Sequence, residues 1–500
     1  MQDRPSPLPD LVTSLFTADA VRRIDRAAVA RCGISGFELM QRAADAVFTT
    51  LRERWPDARR IAVLAGAGNN GGDALLVGKL ALEHGLDVDA YASAHASAGD
   101  AVSAREAFTK AGGHVHRLGA HVDLARADLV VDGLFGTGLA RALDGDLAAL
   151  VEHVNASGTP VLAIDIPSGL SSDTGMRLGA AIRAHATVSL VAWKRGLFTG
   201  DAADCTGECE LAPLDVPDAA FDGIEPDAQL LGGASMRVLP KRGGNVNKAH
   251  FGHVLAIGGD LGMGGAVRLA AEAALRCGAG LVSVATRGAH VAALLAGRPE
   301  LMVRGVEEAA SIDDLVERAT VVAVGPGLGR ATWGAWLFEA ALGAQRPLVV
   351  DADALNLLAL SPQTLRDAVL TPHPGEAARL LGIDTASVQA DRFASARALA
   401  RKYDAIIVLK GAGSLVAAPD GRIAVCPWGN PGMASGGMGD VLTGVIAAMR
   451  AQGLPAWDAA CAGVALHARA GDLAAGDAPR GLLASDLFAP LRTLGNGRDR

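Results

Sequence analysis

The chain alternates two kinds of segment over almost its whole length: short apolar runs rich in β-branched residues or leucine, and longer stretches with the period of an amphipathic helix. In the first half the runs fall at 60–65, 86–91, 128–132, 160–165 and 187–191. Helical stretches at 72–84 and 101–111 lie between them, and two more, 18–31 and 37–55, precede the first run. Thr17 is placed to cap the earliest helix. The runs are mostly continuous instead of alternating, as expected of strands buried on both faces of a parallel sheet. From about 214 to 247 the pattern lapses into Val-Pro-Asp, Glu-Pro-Asp and Leu-Gly-Gly, a composition of turns and linkers. It restarts with runs at 253–257, 281–285, 321–324, 348–350, 368–370 and 406–409. The pattern predicts two doubly wound, three-layer α/β domains, at 12–215 and 240–490, joined by a linker at 216–239.

Composition narrows the function. With 500 residues, half of them hydrophobic, the chain is too long for one ordinary domain and rich enough in apolar side chains to bury large cores. A net charge of −8 argues against nucleic acid or an anionic membrane as partner, and 4% aromatics supply few stacking platforms. No stretch of about 18 apolar residues runs unbroken, so no membrane-spanning helix is expected. The first 16 residues carry prolines and acids in place of a basic start and apolar core, so no signal peptide is expected. The six cysteines are scattered, and Cys205 and Cys209 lack partners at zinc spacing, which fits reduced thiols in a cytoplasmic protein. Glycine is the outlier: 62 residues, without a Gly-X-Y period, against a usual share of about 7%. Many fall directly after the strand runs, where open α/β sheets bind ligands.

After the run 60–65 comes Gly66-Ala-Gly-Asn-Asn-Gly-Gly-Asp73. Gly66, Gly68 and Gly71 satisfy the dinucleotide spacing G-x-G-x-x-G, with Asp87 or Asp89 as the ribose acid of a dehydrogenase. Asn69, Asn70 and Asp73 instead offer oxygens suited to a hard cation or hydroxyls, while a plain strand-to-helix turn would also use Gly and Asn. Two further loops favour a site. Asp132 ends a strand and leads into Gly133-Leu-Phe-Gly-Thr-Gly-Leu-Ala-Arg141, where Thr137 and Arg141 could hold phosphate oxygens. Asp165 ends another, within Asp165-Ile-Pro-Ser-Gly169. A carboxylate closing a buried strand is costly without a partner, and three acids together imply a polar pocket.

The Asn-Asn-Gly-Gly-Asp, Asp-Gly-Leu-Phe-Gly-Thr-Gly-Leu and Asp-Ile-Pro-Ser-Gly motifs together resemble the NAD(P)H-hydrate epimerase domain, over about 12–215. The resemblance implies a Rossmann-like fold and substrate contacts at Asn69, Asn70, Gly71, Gly72, Asp73, Gly136, Thr137, Gly138, Leu139, Ala140, Arg141, Ala142 and Asp165. It also implies K+ at Asn70, Asp132 and Ser168, and Asp165 as the acid–base group inverting C6 of the hydrated nicotinamide. Ala67 and Ala74 depart from the proline and glycine common in that family.

The second half carries Gly258-Gly-Asp-Leu-Gly-Met-Gly-Gly-Ala266, Gly325-Pro-Gly-Leu-Gly329, Asp351-Ala-Asp-Ala-Leu-Asn356, Thr371-Pro-His-Pro-Gly-Glu376 and Lys410-Gly-Ala-Gly-Ser414. Last comes Asn430-Pro-Gly-Met-Ala-Ser-Gly-Gly-Met-Gly-Asp440, opening an apolar helix over 441–449. Backbone N–H groups of Gly436, Gly437, Met438 and Gly439 at a helix start can receive a transferring phosphoryl group. Asp440 is placed to take a hydroxyl proton, and Lys410 to hold nucleotide phosphates. No Walker motif occurs. An ordinary capped helix would account for the last segment alone, but not for its five companion loops.

These motifs resemble the ribokinase-like superfamily, and within it the ADP-dependent NAD(P)H-hydrate dehydratases, over about 240–490. That resemblance implies hydrate contacts at Ala266, Gly327, His373 and Asp440, and nucleotide contacts at Lys410, Gly411, Ala412, Gly413, Ser414 and Gly439. Mg2+ and ADP as phosphoryl donor are implied with them. Met438 and Ser414 stand where threonine is frequent. The joint expectation is a homo-oligomeric bifunctional enzyme that epimerises NAD(P)H hydrate and dehydrates its S form to NAD(P)H. The alternatives are an ATP-dependent kinase of a small alcohol or vitamin precursor fused to a dinucleotide-binding module, and a non-enzymatic first half.

Overall fold

The computed structural model describes residues 10–93, 99–307 and 312–497, in two compact units, Met1–Gln229 and Leu230–Arg500. The first is built on a seven-stranded sheet: β1 (Arg60–Ala65), β2 (Asp87–Ala92), β3 (Val115–Arg117), β4 (Leu129–Gly133), β5 (Val161–Ile164), β6 (Ala186–Leu190) and β7 (Glu208–Ala212). All pairings are parallel, in the order β3-β2-β1-β4-β5-β6-β7. Both faces are covered, which is why the central strands are continuously apolar. Ile61, Val63 and Ala65 of β1 enter one core with Val77 of the helix Asn69–Glu83, while Ala62 and Leu64 enter another with Leu150 and Val154 of the helix Gly145–Ala156.

Two helices precede the sheet. Ala18–Cys32 is capped by Thr17, whose side chain accepts from the Ala20 N–H, and ends at Gly33 in the left-handed region. Gly36–Arg54 is capped by Ser35. Of the stretch expected as a linker, residues as far as Gln229 lie in this first unit. There Val216, Ala220, Phe221 and Ile224 are buried in the same core as Phe16.

The second unit contains β8 (His253–Ile257), β9 (Leu281–Thr286), β10 (Met302–Gly305), β11 (Val321–Val324), β12 (Leu348–Val350), β13 (Val369–Leu370), β14 (Ile406–Leu409), β15 (Leu415–Ala417) and β16 (Ile423–Val425). Their order is β10-β9-β8-β11-β12-β13-β14-β15-β16, parallel as far as β14 and antiparallel thereafter. The seven strands of the first sheet and the first seven of the second therefore follow one order, reversing direction once: between β1 and β4, and between β8 and β11. At such a reversal the loops after the two strands turn opposite ways and leave a crevice. The apolar helix Met438–Ala451, expected over 441–449, is buried nearly all round, against the helix Gly264–Arg276.

That helix pair depends on Gly444, where a Cβ would overlap the Ala270 carbonyl oxygen. Gly444→Ala is predicted to lower unfolding stability by about 1–3 kcal/mol, despite alanine's better helix propensity. Denaturant titration of the purified chain checks this; an unchanged or raised midpoint contradicts it.

Candidate functional sites

In the first unit the helix after β1 starts at Asn69, three residues before its apolar period becomes legible. Gly68 is its N-cap, accepting from the N–H groups of Gly71 and Gly72, so Asn69 to Asp73 form the opening turn and its first residues. The glycine spacing is imposed by the backbone itself. A Cβ at Gly66 would overlap the Leu134 carbonyl in the loop after β4, and one at Gly71 would overlap the Gly66 carbonyl. The dehydrogenase reading of this spacing fails at its acid. Asp87 and Asp89 are the first and third residues of β2, exposed, at 3.6 Å from Arg60 and 4.0 Å from His116, and do not reach the strand's carboxyl end.

Asp132, fully buried at the end of β4, accepts from the Ser168 hydroxyl (2.7 Å) and N–H (2.8 Å) and the Leu134 N–H (3.2 Å). Burial pushes its carboxyl up to about 6, against the lowering effect of the Ser168 bonds. Asp165 follows β5 with φ of 70°, a left-handed conformation that turns its side chain toward the loop after β4. Its Oδ1 accepts from the fully buried Lys194 ammonium and the Leu190 N–H (3.3 Å). A Cβ at Gly136 would stand 3.2 Å from Asp165 Oδ2 and 3.4 Å from Asn70 Cγ, so these three residues meet. Asp73 and Asp25 face the same group. Burial, then the charge of Asp165, raises Asp73 well above the usual carboxylate range. Asp25 is pushed up to about 6 by burial, with Lys194 opposing.

The buried Asn70 amide leaves Nδ2 without a hydrogen-bond partner. Turned the other way, it would present an oxygen at that point, and with Asp132 and Ser168 such a donor set suits a hard cation. Of the remaining expected contacts, Thr137 accepts at its carbonyl from Arg22 (3.2 Å). Arg141 and Ala142 are exposed, and the Arg141 side chain makes no hydrogen bond or ion pair among the described residues.

In the second unit the loops after β8 and β11 are stitched together: the Gly259 N–H donates to the Pro326 carbonyl (3.0 Å) and the Asp260 N–H to the Gly327 carbonyl (2.6 Å). Gly327, at φ 59°, leaves room for Ala266, whose Cβ would lie 3.1 Å from a Cβ there. Opposite, Asp351 at the end of β12 is 1% exposed and accepts from Lys410 Nζ (2.7 Å) and the Thr443 hydroxyl (2.8 Å). Gly439 closes over this pair, with a Cβ position 3.2 Å from Lys410 Nζ. Asp440, next on the same helix, is pushed up to about 7 by burial and then by Asp351, with Lys410 opposing. Glu376, 3.9 Å from Lys410, is likewise raised to about 7, chiefly by burial. Burial would lower Lys410, but Asp351, Glu376 and Asp440 outweigh it and hold it above the ordinary lysine value.

His373 accepts at Nδ1 from the Gly375 and Glu376 N–H groups, capping the helix Pro374–Leu381, and burial and Lys410 depress its pKa. The Lys410 to Ser414 loop is anchored from below by Arg392, which is 1% exposed. Its guanidinium donates to the carbonyls of Leu409 (3.2 Å), Lys410 (3.4 Å) and Gly413 (3.5 Å). Among the described residues no three His, Cys, Asp or Glu side chains gather as a metal site.

Sequence reasoning missed Asp25, Lys194, Thr443 and Arg392 as members of these sites, and gave Asp351 and Glu376, which stand in loops it singled out, no role of their own. For Lys194 a signal was available, the same one that marks Lys410. The chain has only seven lysines, and these two end up paired with strand-end aspartates. Arg392 and Thr443 lie in the helices Arg392–Tyr403 and Met438–Ala451, where nothing in the sequence marks their partners.

Two doubly wound units, each with glycine loops at its sheet reversal and a carboxylate beside a lysine–aspartate pair, define a fused pair of α/β enzyme domains. The second matches the family model described as NAD(P)H-hydrate dehydratase over residues 254–492, and the first the model described as YjeF-related protein N-terminus over 36–196. The bifunctional NAD(P)H-hydrate repair enzyme Nnr of Coxiella burnetii is 45% identical over 489 residues, covering 97% of this chain and all of the relative. Its Escherichia coli namesake is 43% identical over 500 residues, covering 99% and 96%. A ribokinase-like superfamily protein of Enterococcus faecalis superposes with a TM-score of 0.51 at 31% identity, covering 54% of this chain and 96% of that one. The chain belongs to the family of bifunctional NAD(P)H-hydrate repair enzymes.

Thr443→Val removes a hydrogen bond to the buried Asp351 carboxylate, and is predicted to cost about 1.5–3 kcal/mol. Denaturant unfolding measures it; a loss below about 0.5 kcal/mol contradicts the role given to this contact.

Proposed function

We propose that the chain repairs hydrated NADH and NADPH: the first unit interconverts the R and S hydrates, and the second dehydrates the S hydrate at the expense of ADP, giving AMP and phosphate. The observation that carries this reading is Asp440, a carboxylate raised to about 7 at the start of a helix and beside Lys410. Such a group can accept a proton near neutral pH.

In the second unit the nucleotide phosphates would lie against the N–H groups around Gly437 to Gly439 and the Lys410 ammonium. Asp440 takes the proton from the C6 hydroxyl as its oxygen attacks the terminal phosphorus and the bond to AMP breaks. The C6–O bond then breaks with phosphate leaving, and loss of the proton at C5 restores the ring double bond. Bare backbone donors act best here because they need no reorganisation as charge moves. Mg2+ bound with the nucleotide would supply counter-charge to the phosphates. Ala266, Gly327 and His373 would border the hydrate, and Gly411 to Ser414 the nucleotide.

In the first unit Asp165, between the Asn69 to Asp73 turn and the Gly136 to Ala142 loop, would give a proton to the C6 hydroxyl so that the C6–O bond breaks with water leaving and the N1 lone pair forms an iminium, and would take the proton back as water adds to the opposite face. Asn70, Asp132 and Ser168 would hold K+, which when bound supplies a counter-charge to the buried Asp132 carboxylate. Cytoplasmic residence belongs to the same reading and is supported by six free thiols.

Asp440→Ala is predicted to lower dehydration by roughly 100- to 10,000-fold while epimerisation continues, and Asp165→Ala to do the reverse. Purified S hydrate with ADP is the assay: recovery of NADH supports the reading, whereas phosphorylation of a small alcohol without NADH recovery favours a kinase. The pH dependence carries a sign. A base must be unprotonated, so the wild-type dehydration rate should be full above pH 7 and fall as pH drops through about 7. A rate unchanged down to pH 5 contradicts Asp440 as the base.

A further inference from the structure

We infer that Lys194 is the positioning residue of the first unit's reaction. It occupies one oxygen of Asp165 so that the other, Oδ2, works alone in the gap left by Gly136. The inference rests on the reading of Asp165 as the acid–base group, and it names what holds that group.

Lys194 is fully buried, in the short strand Trp193–Lys194, and its ammonium has three donors for three acceptors. These are Asp165 Oδ1, the Ser189 hydroxyl (3.3 Å) and the Leu190 carbonyl (2.6 Å). No donor is left over for a substrate. A lysine buried at this depth has no account as a ligand contact, and a buried ammonium is expensive unless fully paired. Its charge has one direct carboxylate partner among the described residues.

The two oxygens of Asp165 are unequal. Oδ1 takes both Lys194 and the Leu190 N–H. Oδ2 receives no protein donor among the described residues and faces the Gly136 backbone. The peptide on either side is fixed as well: the Asp165 N–H donates to the Val188 carbonyl (2.7 Å), and φ stands at 70°. Backbone, Leu190 and Lys194 thus set the carboxylate plane from one side, and Gly136 keeps the other side open. Two other acids approach, Asp73 on the helix Asn69–Glu83 and Asp25 on the helix Ala18–Cys32, and both are affected by the charges of Asp165 and Lys194. Without Lys194 the Asp165 carboxylate would face these acids with one fewer anchor and no cation.

The test uses the full chain and the rate of R-to-S interconversion above the uncatalysed background, with dehydration of the S hydrate as the control for folding. Lys194→Met is predicted to lower epimerase kcat by about 100-fold with KM within about threefold, because orientation is lost and hydrate contacts are kept. Lys194→Arg should recover part of that loss, and dehydration should stay at the wild-type rate. If Lys194→Met is not recovered folded, Gly136→Ala replaces it. The backbone there is not left-handed, and the new methyl would stand 3.2 Å from Oδ2 and 3.4 Å from Asn70 Cγ, so kcat should fall at least about tenfold. Wild-type kcat in a folded Lys194→Met, or in Gly136→Ala, overturns the inference. A loss seen mainly in KM overturns it too. Asp165→Ala separates the two claims: if it still interconverts the epimers, the reading of Asp165 fails; if it is inactive while Lys194→Met is not, only the role of Lys194 fails.

Discussion

A carboxylate at the end of a strand buried on both faces cannot stand alone, and both sites of this protein are built on that constraint. Asp132 meets a serine hydroxyl and two N–H groups, Asp165 a buried lysine, and Asp351 a lysine and a threonine hydroxyl. Removing one partner of such a pair strands a charge in a poorly solvated place, which costs far more than an exposed ion pair gains. The partners come from other segments, Lys194 from 29 residues beyond Asp165 and Thr443 from 92 beyond Asp351, so neither carboxylate is satisfied until those segments have packed beside its strand. Chemistry and fold are tied at the same atoms.

Glycine serves the same arrangement from the backbone side. At Gly66 and Gly258 a Cβ would overlap the Leu134 and Pro326 carbonyls, so the two loops flanking each sheet reversal touch directly, while at Gly71 and Gly325 it would overlap the Gly66 and Asp351 carbonyls. At Gly136 and Gly439 the freed space lies against a carboxylate and an ammonium instead. Other glycines, such as Gly85, Gly158 and Gly382, have open surroundings and positive φ, the ordinary use of the residue in turns and helix ends. The excess over average composition thus divides into close approach, site space and plain turns.

The central strands were legible because burial on both faces makes them continuously apolar. Runs expected at 60–65, 253–257, 321–324, 348–350 and 406–409 coincide with β1, β8, β11, β12 and β14. The strands missed are at the sheet margins. Val115–Arg117, Glu208–Ala212 and Met302–Gly305 are edge strands with polar residues, and Leu415–Ala417 and Ile423–Val425 are the antiparallel strands that follow the parallel run. Asn-Asn-Gly-Gly favours turns, so the helix start at Asn69 was hidden by residues with low helix propensity. Asp25 sits in Arg-Arg-Ile-Asp-Arg, which looks like a solvated helix face until Lys194 and Asp165 are seen beside it. Loop residues that end strands could be found by position, but partners supplied across the fold could not.

On the proposed function, two separate carboxylate-based sites in one chain act in succession on one substrate. Mixing the two single variants tests it most directly: Asp440→Ala and Asp165→Ala proteins, combined with an equal mixture of R and S hydrate and excess ADP. The prediction is that each variant alone leaves hydrate unconsumed, Asp440→Ala both epimers and Asp165→Ala the R epimer beyond its uncatalysed loss. Together they should convert both epimers to NAD(P)H. If the mixture leaves the R epimer behind at the uncatalysed rate, or if either variant alone consumes both at the wild-type rate, the division of labour is wrong.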